Sequence, residues 1–370
     1  SGSSDPTIST NPGTVGTKYK NTTDGEIFIC TDATAGANVW KNVGAGTGDV
    51  EPVPPAWEAA GENYGYVQGS VPNSGAPGTR IEKFSFTSDG NSVDSGADTI
   101  DYYSPGGLKQ CAVTSSPTKG YIMGGGLVSG SETDTIQRFT FGSSGTATDV
   151  ANLTTARLKC TGVNNLTYGY CCGGAEEAGG YQNVPINVID KMAFATEADS
   201  TGHGNLSTYA GGRGTDSGNA SSTAGYTSGY YRSGGTPPLS RNIIDKFLFS
   251  SNTTSSDVGD LNPSTYFNVG TSSGTHGYVS GYAADGVMEK IQKYSFASES
   301  TITSPGNLSV DRGNGAGCSS TSYGYMAGGY QYPPFAPSKV IDKYSFTTDG
   351  NATGVGDLLI IGYQSRGLQH

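Results

Sequence analysis

His203, His276 and His370 are the only histidines in a 370-residue chain, standing in GHG, in THG and at the last position. No two are spaced to share a metal, and none recurs at a fixed interval. A copper or zinc site built on converging imidazoles is therefore not expected. The six cysteines, at 30, 111, 160, 171, 172 and 318, fit neither a zinc spacing nor a disulfide framework. Cys111 and Cys160 both stand nine residues before a Gly-Tyr pair, a slot best read as a small apolar position in a strand. Cys171 and Cys172 are adjacent and should point to opposite faces of their strand. Six unframed thiols suit a reducing compartment.

Carboxylates offer two patterns. Asp89-Gly90-Asn91 and Asp349-Gly350-Asn351 could begin calcium loops, but no further carboxylates follow at loop spacing, and tight hairpin turns are the better reading. Glu82, Gln137, Asp190, Asp245, Gln292 and Asp342 form a recurring acidic or amide position, expected to hydrogen-bond a neighbouring repeat or pair with Lys/Arg. No nucleophile–base pair can be nominated. The expectation is a non-enzymatic protein without cofactor or metal.

The elements that carry these residues repeat. IEKFSF at 81, IQRFTF at 136, IDKMAF at 189, IDKFLF at 244, IQKYSF at 291 and IDKYSF at 341 recur at intervals of 47 to 55 residues. A Gly-Tyr segment precedes each one: GYVQG, GYIMGG, GYCCGG, GYTSGYYRSGG, GYVSGY and GYMAGG. A leucine follows twelve residues past the last Phe (Leu153, Leu206, Leu261, Leu308, Leu358), and Asp98 holds that slot in the first repeat. One unit thus has four strand-like segments: a before Gly-Tyr, b at Gly-Tyr, c at the hexapeptide and d ending at the leucine. Strand alternation puts the fourth and sixth hexapeptide positions on one face. Eleven aromatics and Met192 occupy those positions, and the opposite face begins with Ile in all six copies. A sheet apolar on both faces must be covered on both, which no single repeat can do alone.

Six four-stranded units point to radial closure in a β-propeller. Residues around Gln364–Gln369 would supply strand a to the first blade, whose own strand b begins at Gly65. Composition agrees: 58 glycines with 34% hydrophobic residues suit short strands and tight turns. A net charge of −11 without a Lys/Arg cluster excludes nucleic acid or an anionic membrane as the expected partner. No apolar run approaches the roughly 18 residues of a membrane span, and SGSSDPTIST reads as neither a signal nor a transit peptide.

The double glycine after strand b, the aromatic pair in strand c and the leucine in strand d together resemble kelch repeats over about residues 58–370. That resemblance implies an all-β fold, a six-bladed kelch-like β-propeller of four-stranded blades. The kelch tryptophan is missing from every repeat, Trp40 and Trp57 being the only two in the chain.

Residues 1–50 do not repeat. Tyr19–Asn21, an Asp24-Gly25 turn, Glu26–Cys30 and Val39–Val43 read as a small β-meander, followed by a linker at 51–57. Three short strands are marginal alone, so this module should pack on the propeller, on another copy in a homo-oligomer or on a larger assembly. GTVGTKYKNTTDGEIFICT is similar to short repeats near the N-termini of tailed-bacteriophage virion and fibre proteins. IDKYSFTTDGNATGVGDL, residues 341–358, resembles repeats in predicted structural proteins of phages infecting aquatic bacteria. Together these resemblances imply a virion component assembled in the bacterial host cytoplasm. Its N-terminal module would contact other virion proteins, and its outward partner would be a host-surface glycan or protein. The alternatives are a cellular kelch-type protein-binding scaffold and a carbohydrate-active enzyme.

Binding should sit on the connections between strands b and c, whose spacing varies from 14 to 20 residues. Three of them are rich in Tyr, Pro and charge: AEEAGGYQNVPIN, YYRSGGTPPLSRN and YQYPPFAPSKV. Exposed aromatics on loops over a rigid scaffold suit recognition. The candidate ligand-binding residues are Glu176, Glu177, Tyr181, Tyr231, Arg232, Arg241, Tyr330, Tyr332 and Phe335. Their competing role is packing the loops onto the rim.

Overall fold

The computed structural model describes residues 1–36, 38–44, 46, 61–69, 78–101, 106–127, 130–178, 182–207, 215–232, 239–283, 289–299, 303–331 and 336–369. No helix occurs among them; every regular element is a strand. The chain divides into two compact units, Ser1–Ala56 and Trp57–His370. The expected linker at 51–57 lies outside the described residues.

The first unit holds a three-stranded antiparallel meander, Lys18–Lys20, Ile27–Asp32 and Val39–Asn42. Its hairpin turns at Gly25, which has φ +87°, a backbone that glycine adopts without strain. Phe28, Cys30 and Trp40 are its buried core, with Tyr19 packed edge-on against Trp40 at 5.7 Å.

In the second unit each repeat forms one antiparallel sheet with strands in the order a-b-c-d. The fifth is representative: Thr265–Ser272, His276–Ala283, Lys290–Ser295 and Thr303–Asn307. In the first, Tyr64–Gln68, Arg80–Ser85 and Val93–Asp98 are followed in chain order, and the a position is taken by Arg366–Gln369. That strand runs antiparallel to Tyr64–Gln68, with Leu368 opposite Tyr66. The first sheet has a fifth member that the sequence pattern did not suggest. Gly145–Thr146, from the turn after the second hexapeptide, pairs in parallel with Ala97–Asp98.

Two aromatic rules explain the repeated motifs. The glycine of Gly-Tyr lies opposite the fourth hexapeptide residue, as Gly65 does opposite Phe84 and Gly225 opposite Phe247. The aromatic ring covers the glycine so closely that a Cβ at Gly65 would fall 2.5 Å from the Phe84 ring; only glycine leaves room. The tyrosine then packs on the sixth-position Phe of another repeat. Tyr66 meets Phe141 at 4.7 Å, Tyr121 meets Phe194 at 5.0 Å, and Tyr170 meets Phe249 at 5.1 Å. Tyr226 meets Phe296, Tyr278 meets Phe346, and Tyr325 meets Phe86, each at 4.7 Å. Each step runs from one repeat to the next, and the last runs from the sixth to the first.

The acidic or amide second position makes the polar counterpart of this contact. Each side chain accepts from the residue following strand d of the preceding repeat. Gln137 Oε1 accepts from Ile100 N at 2.8 Å, Asp190 from Thr154 N at 2.9 Å and Gln292 Oε1 from Asn262 N at 2.7 Å. Asp342 accepts from Ser309 N at 3.0 Å and Glu82 from Leu359 N at 2.8 Å. Asp245 differs, accepting from the Ser207 hydroxyl at 3.1 Å. The expected bond to a neighbouring repeat is thus present at all six positions. Two copies gain a fully buried arginine: Arg157–Asp190 at 2.7 Å and Arg312–Asp342 at 2.9 Å.

Basic residues at the third hexapeptide position reach acids in the turn of the following repeat. Arg138 pairs with Glu197 at 2.8 Å, Lys293 with Asp349 at 2.9 Å and Lys343 with Asp89 at 3.0 Å; Lys246 pairs with Glu299. The two Asp-Gly-Asn turns are therefore docking turns. Asn91 Oδ1 accepts from Asp357 N at 2.9 Å, and Asn351 Oδ1 from Asn307 N at 3.1 Å.

Candidate functional site

Strand a carries a pattern that the motifs of strands b and c had hidden. Seven residues before each Gly-Tyr glycine stand Val113, Gly162, Gly218, Gly270 and Gly317. Gly367 holds the same register place, opposite Val67, in the first sheet. At Gly218, Gly270, Gly317 and Gly367 an added Cβ would overlap the carbonyl oxygen of the corresponding glycine one repeat earlier; at Gly162 it would overlap Val113 O. Backbones approach closely here, and side chains are excluded.

Two residues further on, the strands are joined side chain to backbone. Ser115 N donates to Asn164 Oδ1 at 3.3 Å, Ala220 N to Ser272 Oγ at 3.1 Å and Ser272 N to Ser319 Oγ at 3.0 Å. Ser319 N donates to Gln369 Oε1 at 3.4 Å, and Gln369 N to Ser115 Oγ at 3.3 Å. The step from Asn164 to Ala220 is missing because alanine offers no acceptor. Both sets of positions line one cavity of ≈ 80 Å³, which takes residues from all six repeats. Arg366 also lines it, 9% exposed, with Nε donating to Cys111 O and Nη1 to Ser365 O, both at 3.1 Å.

The loop residues expected to bind that lie among the described residues fall into three β-ribbons that extend the b–c connections. Glu176, half buried, and Glu177 lie in Ala175–Ala178, opposite Val184 and Asn183 of Gln182–Pro185. Tyr231 and Arg232 end the long strand Ala224–Arg232, opposite Ser240 and Leu239, and Arg241 sits opposite Tyr230. Tyr330, in Tyr330–Gln331, pairs with Pro337, and its ring lies edge-on to Tyr363 at 5.0 Å. Tyr181, Tyr332 and Phe335 lie outside the described residues. The structure therefore brings Tyr231, Arg232 and Arg241 into one ribbon, Glu176 and Glu177 into a second, and Tyr330 into a third.

The remaining chemical candidates have structural places. His203 is fully buried; Nε2 donates to Leu248 O at 2.8 Å, and the ring lies 5.0 Å from Tyr170. His276 Nδ1 lies 2.9 Å from the Thr275 hydroxyl, and His370 is outside the described residues. All six cysteines are free and buried. Cys171 and Cys172 do face opposite ways, into separate core clusters. Burial pushes the Cys111 and Cys318 thiols up to about 12, so neither is a nucleophile near neutral pH. In the first unit, Asp5, Asp24 and Glu26 bring carboxylate oxygens within 4.8 Å of one another. Asn21 Nδ2 ties two of them, donating to Asp5 at 2.8 Å and Asp24 at 2.7 Å.

Sequence reasoning missed the cavity altogether. The available signal was the fixed distance of the strand-a glycine from Gly-Tyr, since TGVN, SGNA, VGTS, AGCS and RGLQ share little else. Compared with known proteins, the chain matches no family model and no curated protein.

Proposed function

We propose that this protein is a non-enzymatic component of a tailed-bacteriophage virion, in which a six-bladed kelch-like β-propeller is displayed for attachment or particle decoration. The first unit anchors it to other virion proteins. Support for radial closure comes from the contacts that link the sixth repeat to the first: Tyr325 on Phe86, Lys343 with Asp89, and Glu82 accepting from Leu359 N. The strand Arg366–Gln369, paired with Tyr64–Gln68, supports it further. An open arc would expose an aromatic face at each end, and radial repetition buries both.

The observation that carries the functional reading is the unequal growth of the b–c connections. Six sheets of one strand order form the scaffold, and in repeats three, four and six the described b–c connections carry ribbons with the Glu, Tyr and Arg candidates. A uniform scaffold with variable projections on one side is the arrangement recognition uses. The virion assignment rests on the GTVGTKYKNTTDGEIFICT and IDKYSFTTDGNATGVGDL motifs.

Antibody labelling of purified phage particles, imaged by electron microscopy, tests the assignment. Label at a tail or fibre tip supports host attachment, and label over the capsid supports decoration. Intact, accessible particles without label would overturn the virion reading.

A further inference from the structure

The molecule has three arginines that are buried among the described residues: Arg157, Arg312 and Arg366. The first two have buried aspartate partners, Asp190 and Asp342. Arg366 has only the carbonyls of Cys111 and Ser365, with no carboxylate within ion-pair distance among the described residues. A buried charge ordinarily has a counter-charge. Among the described residues none faces Arg366, and Arg366 lines the cavity shared by all six repeats.

The rest of the lining agrees with that sign. Ser115, Ser272 and Ser319 use their hydroxyl oxygens to accept from backbone N–H groups, as Asn164 uses its amide oxygen. Ser272 Oγ accepts a second bond, from Asn219 Nδ2 at 3.3 Å. What these side chains retain for an occupant is chiefly their protons: three O–H groups and the Asn164 NH₂. The glycine carbonyls two residues away are packed against the next backbone. One acceptor stands against the pattern: Asn268 Oδ1 lines the cavity without a partner. It is what a cation would use.

We propose that this cavity binds a small anion, a halide or a compact carboxylate such as formate, with Arg366 as counter-charge and the Ser115–Asn164–Ser272–Ser319 donors as its cage. A volume of ≈ 80 Å³ exceeds what a single water requires and accommodates an ion of a few atoms. The site rests on the closed six-repeat arrangement proposed above, because its donors come from different repeats. An anion there would tie five sheets at once and would stabilise the folded state by mass action.

The test is anomalous diffraction from crystals of the full chain soaked in sodium bromide and, separately, in rubidium gluconate. Thermal melts would accompany it, in bromide, formate or gluconate at equal ionic strength. The expected result is one bromide peak inside the ring of donors, no rubidium peak there, and a melting temperature that rises with bromide or formate but not with gluconate. Asn164→Asp keeps the acceptor for Ser115 N and adds a negative charge, so it should weaken the anion effect by about ten-fold or more. Ala220→Ser adds a donor and should strengthen it. A rubidium peak, or an empty cavity in a closed ring of six sheets, would overturn the anion site and leave the fold proposal standing. Sheets that do not enclose a cavity would overturn the fold proposal instead.

Discussion

Asp245 occupies the same repeat position as Asp190 and Asp342 but, among the described residues, has no arginine paired with it. Burial raises its pKa above the ordinary carboxylate range, and hydrogen bonds from Ser207 and Ser255 only partly offset that. A raised folded-state pKa means the folded state takes up a proton before the unfolded chain does. Stability therefore increases as pH falls through that pKa and is lost again as pH rises. Asp245→Asn keeps an acceptor for Ser207 and removes the charge, as Gln137 and Gln292 do in their repeats. The variant should melt above the wild type at neutral pH, with the gap closing towards about pH 4. His203 has the opposite sign. Burial lowers its pKa, so its contribution is present above the unfolded value of about 6.5 and is lost as pH falls further. His203→Phe, placed beside Tyr170 and Phe247, should flatten the loss of stability below that pH in melts across the range. The strand-a glycines give a third prediction. Gly270→Ala forces a methyl onto the Gly218 backbone and should cost about 1–3 kcal/mol or more in chemical denaturation. Gly202→Ala, with nothing within 4 Å of the added carbon, is the control and should be near neutral.

At the scale of elements, the strands differ in how far the sequence revealed them. Strands b and c were legible because their alternation is filled by aromatics and β-branched residues whose burial cannot be mistaken for anything else. The role of the second hexapeptide position was legible too, since an acid or amide recurring inside an apolar strand must find a partner. Strand a was not. Its information is a glycine that admits a neighbouring backbone and a small oxygen-bearing side chain two residues later, and neither stands out in a chain with 58 glycines. The same strand supplies the clearest test of the inter-repeat bonding. Ala220→Ser restores the acceptor missing opposite Asn164 N and should add about 0.5–1.5 kcal/mol of stability. Unchanged denaturation would mean that these side-chain bonds do not couple the sheets. The loop ribbons were legible only as composition. Their Tyr, Pro and charge content singled out three connections, but the register placing Tyr231 opposite Ser240 depends on ladder hydrogen bonds that composition does not encode.

For the molecule as a whole, one arrangement of contacts is used six times: an aromatic pair, a capped N–H and, in four of six steps, an ion pair. Each sheet is thereby half of two interfaces, and none can bury its faces without both neighbours. Repeat order along the chain supplies five of those interfaces without long-range assembly. The sixth depends on residues from the two ends of the second unit meeting. Hydrogen exchange on the full chain, followed peptide by peptide with mass spectrometry, tests it directly. If the ring is closed, Arg366–Gln369 and Tyr64–Gln68 will be protected as strongly as Thr265–Ser272 in the fifth sheet, exchanging only through global unfolding. Arg366–Gln369 exchanging at the rate of an unstructured chain while the fifth sheet stays protected would contradict closure.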